Sequence, residues 1–208
     1  MGLSWQYWQV LCNRSSEVEE SQSIYQSILA SLVLLCQGYI PAVILGIPIG
    51  MLIGMNNVIY QIFKRICHIP ATIPSIALLP IALVGFKNNQ HAILFLIFFS
   101  AIWEMIVNTG TGVQEFRRND NNFRSAIHHT FTGLRMGMRL AWFTLIAAEF
   151  LTGSQGLGFF IWDAYNSNMM NEMMKALLYV GTIGFLVDGV LDLAEYLISR
   201  QVADEQNM

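Results

Sequence analysis

Two long stretches of the chain, residues 21–63 and 66–86, contain no Asp, Glu, Lys or Arg. Each is long enough to cross hydrocarbon as a helix, which takes roughly 20 residues. Apolar run length, together with the points where charge interrupts it, predicts five membrane segments at about residues 28–55, 70–86, 92–108, 131–151 and 175–199. The expected architecture is an all-α, polytopic bundle of about five transmembrane helices. A polar amino-terminal segment at 1–26 and a polar tail at 201–208 flank a membrane domain at 27–200.

The later segments are not purely apolar. Glu104 falls in the third and Arg135, Arg139 and Glu149 in the fourth, while Asp188, Asp192 and Glu195 form one stripe along the fifth. A charge at the bilayer centre costs at least about 2.5 kcal/mol unless paired or hydrated, so these groups are expected to face protein or water. Interhelical ion pairs and transport chemistry are both compatible with that position.

Small residues and prolines add detail. Gly46, Gly50 and Gly54 repeat every fourth position, and Gly133 and Gly137 repeat the spacing, giving smooth faces for close helix approach. All five prolines, at 41, 48, 70, 74 and 80, fall in the first two segments. Each missing N–H and freed carbonyl there needs a partner in a neighbouring helix or in water.

Basic residues choose an orientation. Lys64 and Arg65 in the first connection, Arg117, Arg118 and Arg124 in the third, and Arg200 after the last segment belong inside. The acidic stretch around Glu17, Lys87, and the loop bearing Asp163 and Glu172 fall on the other side. The amino terminus is thus expected outside and the carboxyl terminus in the cytoplasm.

Composition agrees with a membrane chain. Of 208 residues, 54% are hydrophobic and 12% charged, about half the charged fraction of a soluble domain, and so short a chain cannot bury that much apolar surface in a core. With net charge −3 and no basic block, nucleic-acid binding has no support. Cys12, Cys36 and Cys67 lack metal or disulfide spacing, and no cofactor is implied. The first ten residues lack the basic region of a signal peptide.

Enzymatic motifs are missing. None of the three lysines lies in a Walker A loop, so ATP is not bound by that device. His128 and His129 point about 100° apart on a helix and make a poor metal pair. Gly153-Ser154-Gln155-Gly156 is a turn rather than a nucleophile elbow.

Longer motifs carry a family resemblance. ASLVLLCQGYIPAVILGIPIGMLIG at 30–54, IPATIPSIALLPIALVGF at 69–86 and FFSAIWEMIVNTGTGV at 98–113 resemble successive helices of the permease subunits of nitrate, bicarbonate and taurine-type ABC importers. The most specific stretch is FTGLRMGMRLAWFTLIAAEFLTGSQGLGFFIWDAYN at 131–166, whose ending is nearest the nitrate and bicarbonate branch. The chain differs from that family in three respects. Where that family usually carries another hydrophobic helix ahead of the first core segment, residues 1–26 are too polar and charged to span, a shortened cytoplasmic coupling region at about 114–130 stands in place of the EAA pattern, and Glu104 and Arg139 stand where proline and a small residue are common.

The resemblance implies the type I importer permease fold in a bacterial, cyanobacterial-type plasma membrane. It further implies import of a small inorganic anion (nitrate, nitrite or bicarbonate) by alternating access. The partners would be a second, identical permease copy, two ATP-binding subunits that carry out hydrolysis, an external solute-binding protein and the lipid bilayer. Glu115, Phe116, Arg117 and Arg118 are the candidate ATPase-docking residues. Trp142 and Glu149, two helical turns apart, are pathway or gate candidates, with Glu149 expected to gate or to pair with an arginine rather than bind the anion. Phe159, Phe160, Trp162, Asp163 and Tyr165 are candidates for an interfacial belt or for contact with the binding protein. The alternative is a degenerate, non-transporting membrane scaffold or regulatory partner derived from such a permease.

Overall fold

The computed structural model describes the backbone of residues 3–118 and 123–206 and the side chains of residues 24–118 and 123–201. The segment at 1–26 and the tail at 201–208 lie almost wholly outside the described side chains. Among the described residues the chain forms helices and no strand. They are α1 Leu3–Gly54, α2 Asn57–Thr72, a 3-10 turn Ser75–Leu78, α3 Leu79–Phe86, α4 Asn89–Arg118, α5 Phe123–Thr152, α6 Leu157–Asn166 and α7 Met170–Gln206.

Three stretches are long and apolar enough to cross a membrane unaided: Ile24–Gly54 of α1, α4, and Met170–Gln201 of α7. Two bent pairs raise the number to five: α2 with Ser75–Phe86, bent by 71°, and α5 with α6, bent by 42°. The helix packing decides that the first pair is a crossing and not a loop that turns back. Gly38 of α1 lies against Ile97 of α4, Gly46 against Met105, Gly50 against Thr109 and Gly54 against Val113. The numbers rise together, so α1 and α4 run parallel, and the chain between them must travel back across the full depth of the bundle. Its two ends are placed accordingly, with Gly54 beside Val113 and residues 88–90 beside Leu34 and Gln37.

This second crossing departs from expectation. It starts at Asn57 rather than near residue 70, so Lys64 and Arg65 lie on α2 rather than in a connection. Asn56 starts the helix only two residues after α1 ends, because its side chain accepts the Val58 and Ile59 amides at 2.9 and 3.3 Å. The break falls at Ile73, which is extended (φ −77°, ψ 119°) because the ring of Pro74 crowds a helical conformation at the preceding residue. The connection expected at about 114–130 is also mostly helix. α4 continues through Arg118 and α5 begins at Phe123, which leaves 119–122, outside the described residues, between them.

α4 is the central helix. Ala92, Ile93, Leu96, Ile97 and Ala101 have no exposed surface, and 56% of its most apolar stretch is buried, against 6% for α7. α1 packs on one side of it through the glycine seam. α5 packs antiparallel on another, where Gly133 approaches Glu104 and Asn108, and Gly137 approaches Ala101. Single hydrogen bonds join the layers. Tyr39 on α1 donates to the Leu134 carbonyl at 2.8 Å, and Gln114 on α4 donates to the Gly54 carbonyl at 2.7 Å, satisfying an orphan acceptor at the end of α1. Large apolar side chains on the outer faces of α1, α2 and α7, such as Ile44, Leu52, Ile66 and Val190, are exposed, as on a surface that meets lipid.

The seam generates a prediction. A Cβ at Gly50 would stand 2.7 Å from the Ile106 carbonyl oxygen and 2.8 Å from Thr109 Cβ, whereas one at Gly85 meets nothing within 4 Å. Gly50→Ala is expected to lower stability in detergent by about 1–3 kcal/mol, while Gly85→Ala leaves the thermal midpoint unchanged or slightly higher. Equal midpoints for the two variants would contradict the packing.

Candidate functional site

At the end of the bundle that carries the α5–α6 bend, four groups meet in a buried knot. Glu149, near the last turn of α5, has no exposed surface, and neither has Ser31 of α1. The Ser31 hydroxyl lies 2.8 and 2.9 Å from the two Glu149 carboxylate oxygens and donates to them. Its oxygen in turn accepts the Leu157 amide at 2.9 Å, and Glu149 Oε2 accepts the Gly158 amide at 2.9 Å. Leu157 and Gly158 are the first residues of α6, so a carboxylate and a hydroxyl satisfy amides that the helix itself leaves unpaired. Gly156, at φ 131°, lets the chain turn directly over the carboxylate, and any Cβ there would collide with it. The knot ties α1, α5 and α6 together.

Glu149 therefore does not pair with an arginine. Its partners are a serine 118 positions away and the Gly158 backbone amide. Trp142, two turns earlier on α5, faces a different neighbour: its indole nitrogen lies 3.0 Å from where a Cβ of Gly184 on α7 would stand. The two pathway candidates share a helix but not a site.

The charges of α5 and α7 form a ladder. Arg139 donates from Nε and Nη2 to the two Asp188 oxygens at 3.2 and 2.6 Å. Arg135 contacts Asp192 and also Glu195, the latter at 2.8 Å, and Glu195 meets His128 Nδ1 at 2.7 Å. As the α5 numbers fall the α7 numbers rise, so the helices are antiparallel. The acidic stripe of α7 fits the basic positions of α5 rung by rung. Each such charge is disfavoured by about 2.5–3.5 kcal/mol at mid-bilayer when alone, and pairing across the helices removes most of that cost.

Glu104 lies elsewhere. With Trp103, Ser100 and Thr144 it lines a cavity of about 220 Å³ beside the α2 break at Pro70–Ile76, and its backbone and side chain both accept from Asn108, at 2.8 and 3.3 Å. The Trp103 indole N–H is buried there without a hydrogen-bond partner.

The four docking candidates divide into two pairs. Glu115 accepts from Ser125 at 3.1 Å, and the Phe116 ring meets Phe123 edge-on at 6.0 Å, so both close the α4–α5 hairpin. Arg117 and Arg118 are exposed at its tip. At the other end, α6 carries Phe159, Trp162, Asp163 and Tyr165. Trp162, Asp163 and Tyr165 are exposed together, and the Trp162 ring lies 5.0 Å from Phe150 and 6.0 Å from Tyr165. The residues that sequence reasoning missed are Ser31 and Gly156, for which no local periodicity gives a signal.

The knot makes a second prediction. Ser31→Ala leaves the Leu157 amide and one carboxylate face unsatisfied, and it is expected to destabilise the detergent-solubilised protein by about 1–3 kcal/mol. In a double-mutant cycle with Glu149→Gln, the two substitutions are expected to be non-additive by at least about 0.5 kcal/mol. Strict additivity would mean that the contact contributes nothing.

Comparison with known proteins connects this architecture to a family. Residues 120–203 match the family model described as "Binding-protein-dependent transport system inner membrane component". The "Nitrate import permease protein NrtB" of Leptolyngbya laminosa is 39% identical over 202 residues, covering 89% of this chain and 71% of that protein. The protein of the same name from Synechocystis sp. is 35% identical, covering 92% of this chain and 84% of its own length. The "Bicarbonate transport system permease protein CmpB" of Synechococcus elongatus is 35% identical, covering 80% and 66%. With its helical membrane bundle and these relatives, the chain belongs to the permease subunits of binding-protein-dependent ABC importers, on the branch that holds the nitrate and bicarbonate permeases.

Proposed function

We propose that the chain is the translocating subunit of an ATP-driven importer of a small inorganic anion (nitrate, nitrite or bicarbonate), working by alternating access. The likeness to nitrate and bicarbonate permeases through most of the chain, including the α5–α6 unit, carries the reading. Two identical copies enclose the route. Two ATP-binding subunits supply the energy, and an external solute-binding protein delivers the anion.

The distribution of charge supports an orientation. Lys64, Arg65, Arg117, Arg118 and Arg124 gather towards the end where α1 meets Val113, and that end is cytoplasmic by the positive-inside rule. Lys87, Asp163 and the exposed face of α6 then lie outside, where Trp162, Asp163 and Tyr165 meet the binding protein. Arg117 and Arg118 dock the ATPase, with Glu115 and Phe116 holding the hairpin that presents them. Glu149 acts through the knot, as the pivot on which α6 moves relative to α1. Nucleotide-driven partners shift the bundle because they bind its two states unequally.

The short connection between α4 and α5 favours a second reading, a membrane scaffold that no longer couples to an ATPase. Purification of the tagged chain from its native membrane separates the two. An importer subunit is expected to bring an ATP-binding protein with it, whose hydrolysis rises when the anion-loaded binding protein is added. Arg117→Glu with Arg118→Glu is expected to reduce the recovered ATPase by about tenfold. A wild-type chain that carries no ATPase supports the scaffold, and undiminished recovery with the double variant removes the arginines from docking.

A further inference from the structure

A cation stands at the middle of the bundle's depth without being hidden. Along α5, at about 1.5 Å per residue, Arg139 lies roughly 20 Å from Ala126, which meets Gly112 at the cytoplasmic end, and roughly 15 Å from Glu149 in the outer knot. Its side chain is 64% exposed, while that of its partner Asp188 is 22% exposed. The carboxylate sits behind and the guanidinium faces out. Arg135, the next rung, differs in kind: it touches two acids, and its side chain is 21% exposed. The fork from Arg139 to Asp188 uses Nε and Nη2, which leaves Nη1 outside the pair.

Beside this guanidinium α5 and α7 part into a cleft of about 390 Å³, where Arg139, Trp142, Asp188 and two glycines, Gly181 and Gly184, stand beside an apolar wall of Met138, Val180, Phe185 and Val187. The glycines open it. A Cβ at Gly181 would meet nothing within 4 Å, and Gly184 leaves the space into which the Trp142 indole N–H projects. A charged head at this depth faces water or protein, not hydrocarbon. The cleft thus presents an outward cation and an N–H donor, and its carboxylate is already engaged by the cation.

We propose that the cleft between α5 and α7 lines the aqueous route, and that Arg139, held in place by Asp188 and joined by the Trp142 N–H, is the residue that contacts the passing oxyanion. Rigid guanidinium N–H groups match the oxygens of a small planar anion. Partial neutralisation by Asp188 keeps the hold weak, as passage requires binding that is favourable but readily reversed. The assignment of an anion rests on the proposed import function; the cleft itself does not.

The test uses the complete complex with its ATP-binding and solute-binding partners in proteoliposomes. Arg139→Gln is expected to cut nitrate or bicarbonate uptake by about tenfold or more, with the ATPase still co-purifying. Arg139→Lys is expected to keep a substantial part of the uptake. The exchanged pair R139D/D188R is expected to assemble and fail to transport. Wild-type uptake by Arg139→Gln, or full recovery in the exchanged pair, would show a structural ion pair only and overturn the proposal.

A second measurement is independent of the cargo. With Cys12, Cys36 and Cys67 replaced by serine, Gly181→Cys is expected to react with a charged, membrane-impermeant thiol reagent far faster than Val190→Cys on the opposite, lipid-facing side of α7. Equal rates overturn the aqueous cleft. Fast labelling in a complex that takes up neither anion keeps the cleft and rejects the proposed import function.

Discussion

The parallel contact between α1 and α4 is the constraint from which the rest of the bundle follows. Two neighbouring helices in one chain are more simply joined antiparallel by a short turn. Here four glycines of α1 (38, 46, 50 and 54) meet α4 at backbone distance in parallel register. Between lipid-exposed helices there is no water to expel, so close van der Waals contact along small residues supplies the attraction. Once the pair is parallel, α2 and α3 have to recross the membrane, α4 becomes the buried centre, and α5 must return along its other side.

The polar groups divide between two jobs on that frame. The Ser31–Glu149 knot satisfies the exposed start of α6 and is sealed inside protein. The α5–α7 ladder attaches a helix that is mostly half-buried or exposed, with few fully buried residues of its own. Ion pairs add to this packing and hold α7 in register, and the cleft at Arg139 lies between the two helices.

Much of the bundle was legible from charge placement. Runs without charge mark α1 and the second crossing, and the stripe Asp188, Asp192, Glu195 announces a helix face that needs basic partners. Where that crossing begins was not legible. Lys64 and Arg65 interrupt hydropathy and read as a connection, yet a side-chain cap from Asn56 starts helix before them. The expected shared face of Trp142 and Glu149 said nothing about their neighbours: Trp142 lies against Gly184 of α7, and Glu149 against Ser31 of α1 and the start of α6. Ser31 was invisible, since its role exists only through a residue 118 positions away. The family likeness was carried by the 131–166 stretch, which holds Glu149 and the Leu157 and Gly158 amides of the knot, the two arginines of the ladder and the α6 face.

Transport itself is the most direct measure. The purified permease, reconstituted with its ATP-binding subunits and solute-binding protein, is predicted to accumulate labelled nitrate or bicarbonate inside liposomes only when ATP is present on the side of Arg117 and Arg118 and the binding protein on the side of Trp162. Accumulation that persists with a hydrolysis-deficient ATPase, or none with every component present, would contradict an ATP-driven importer.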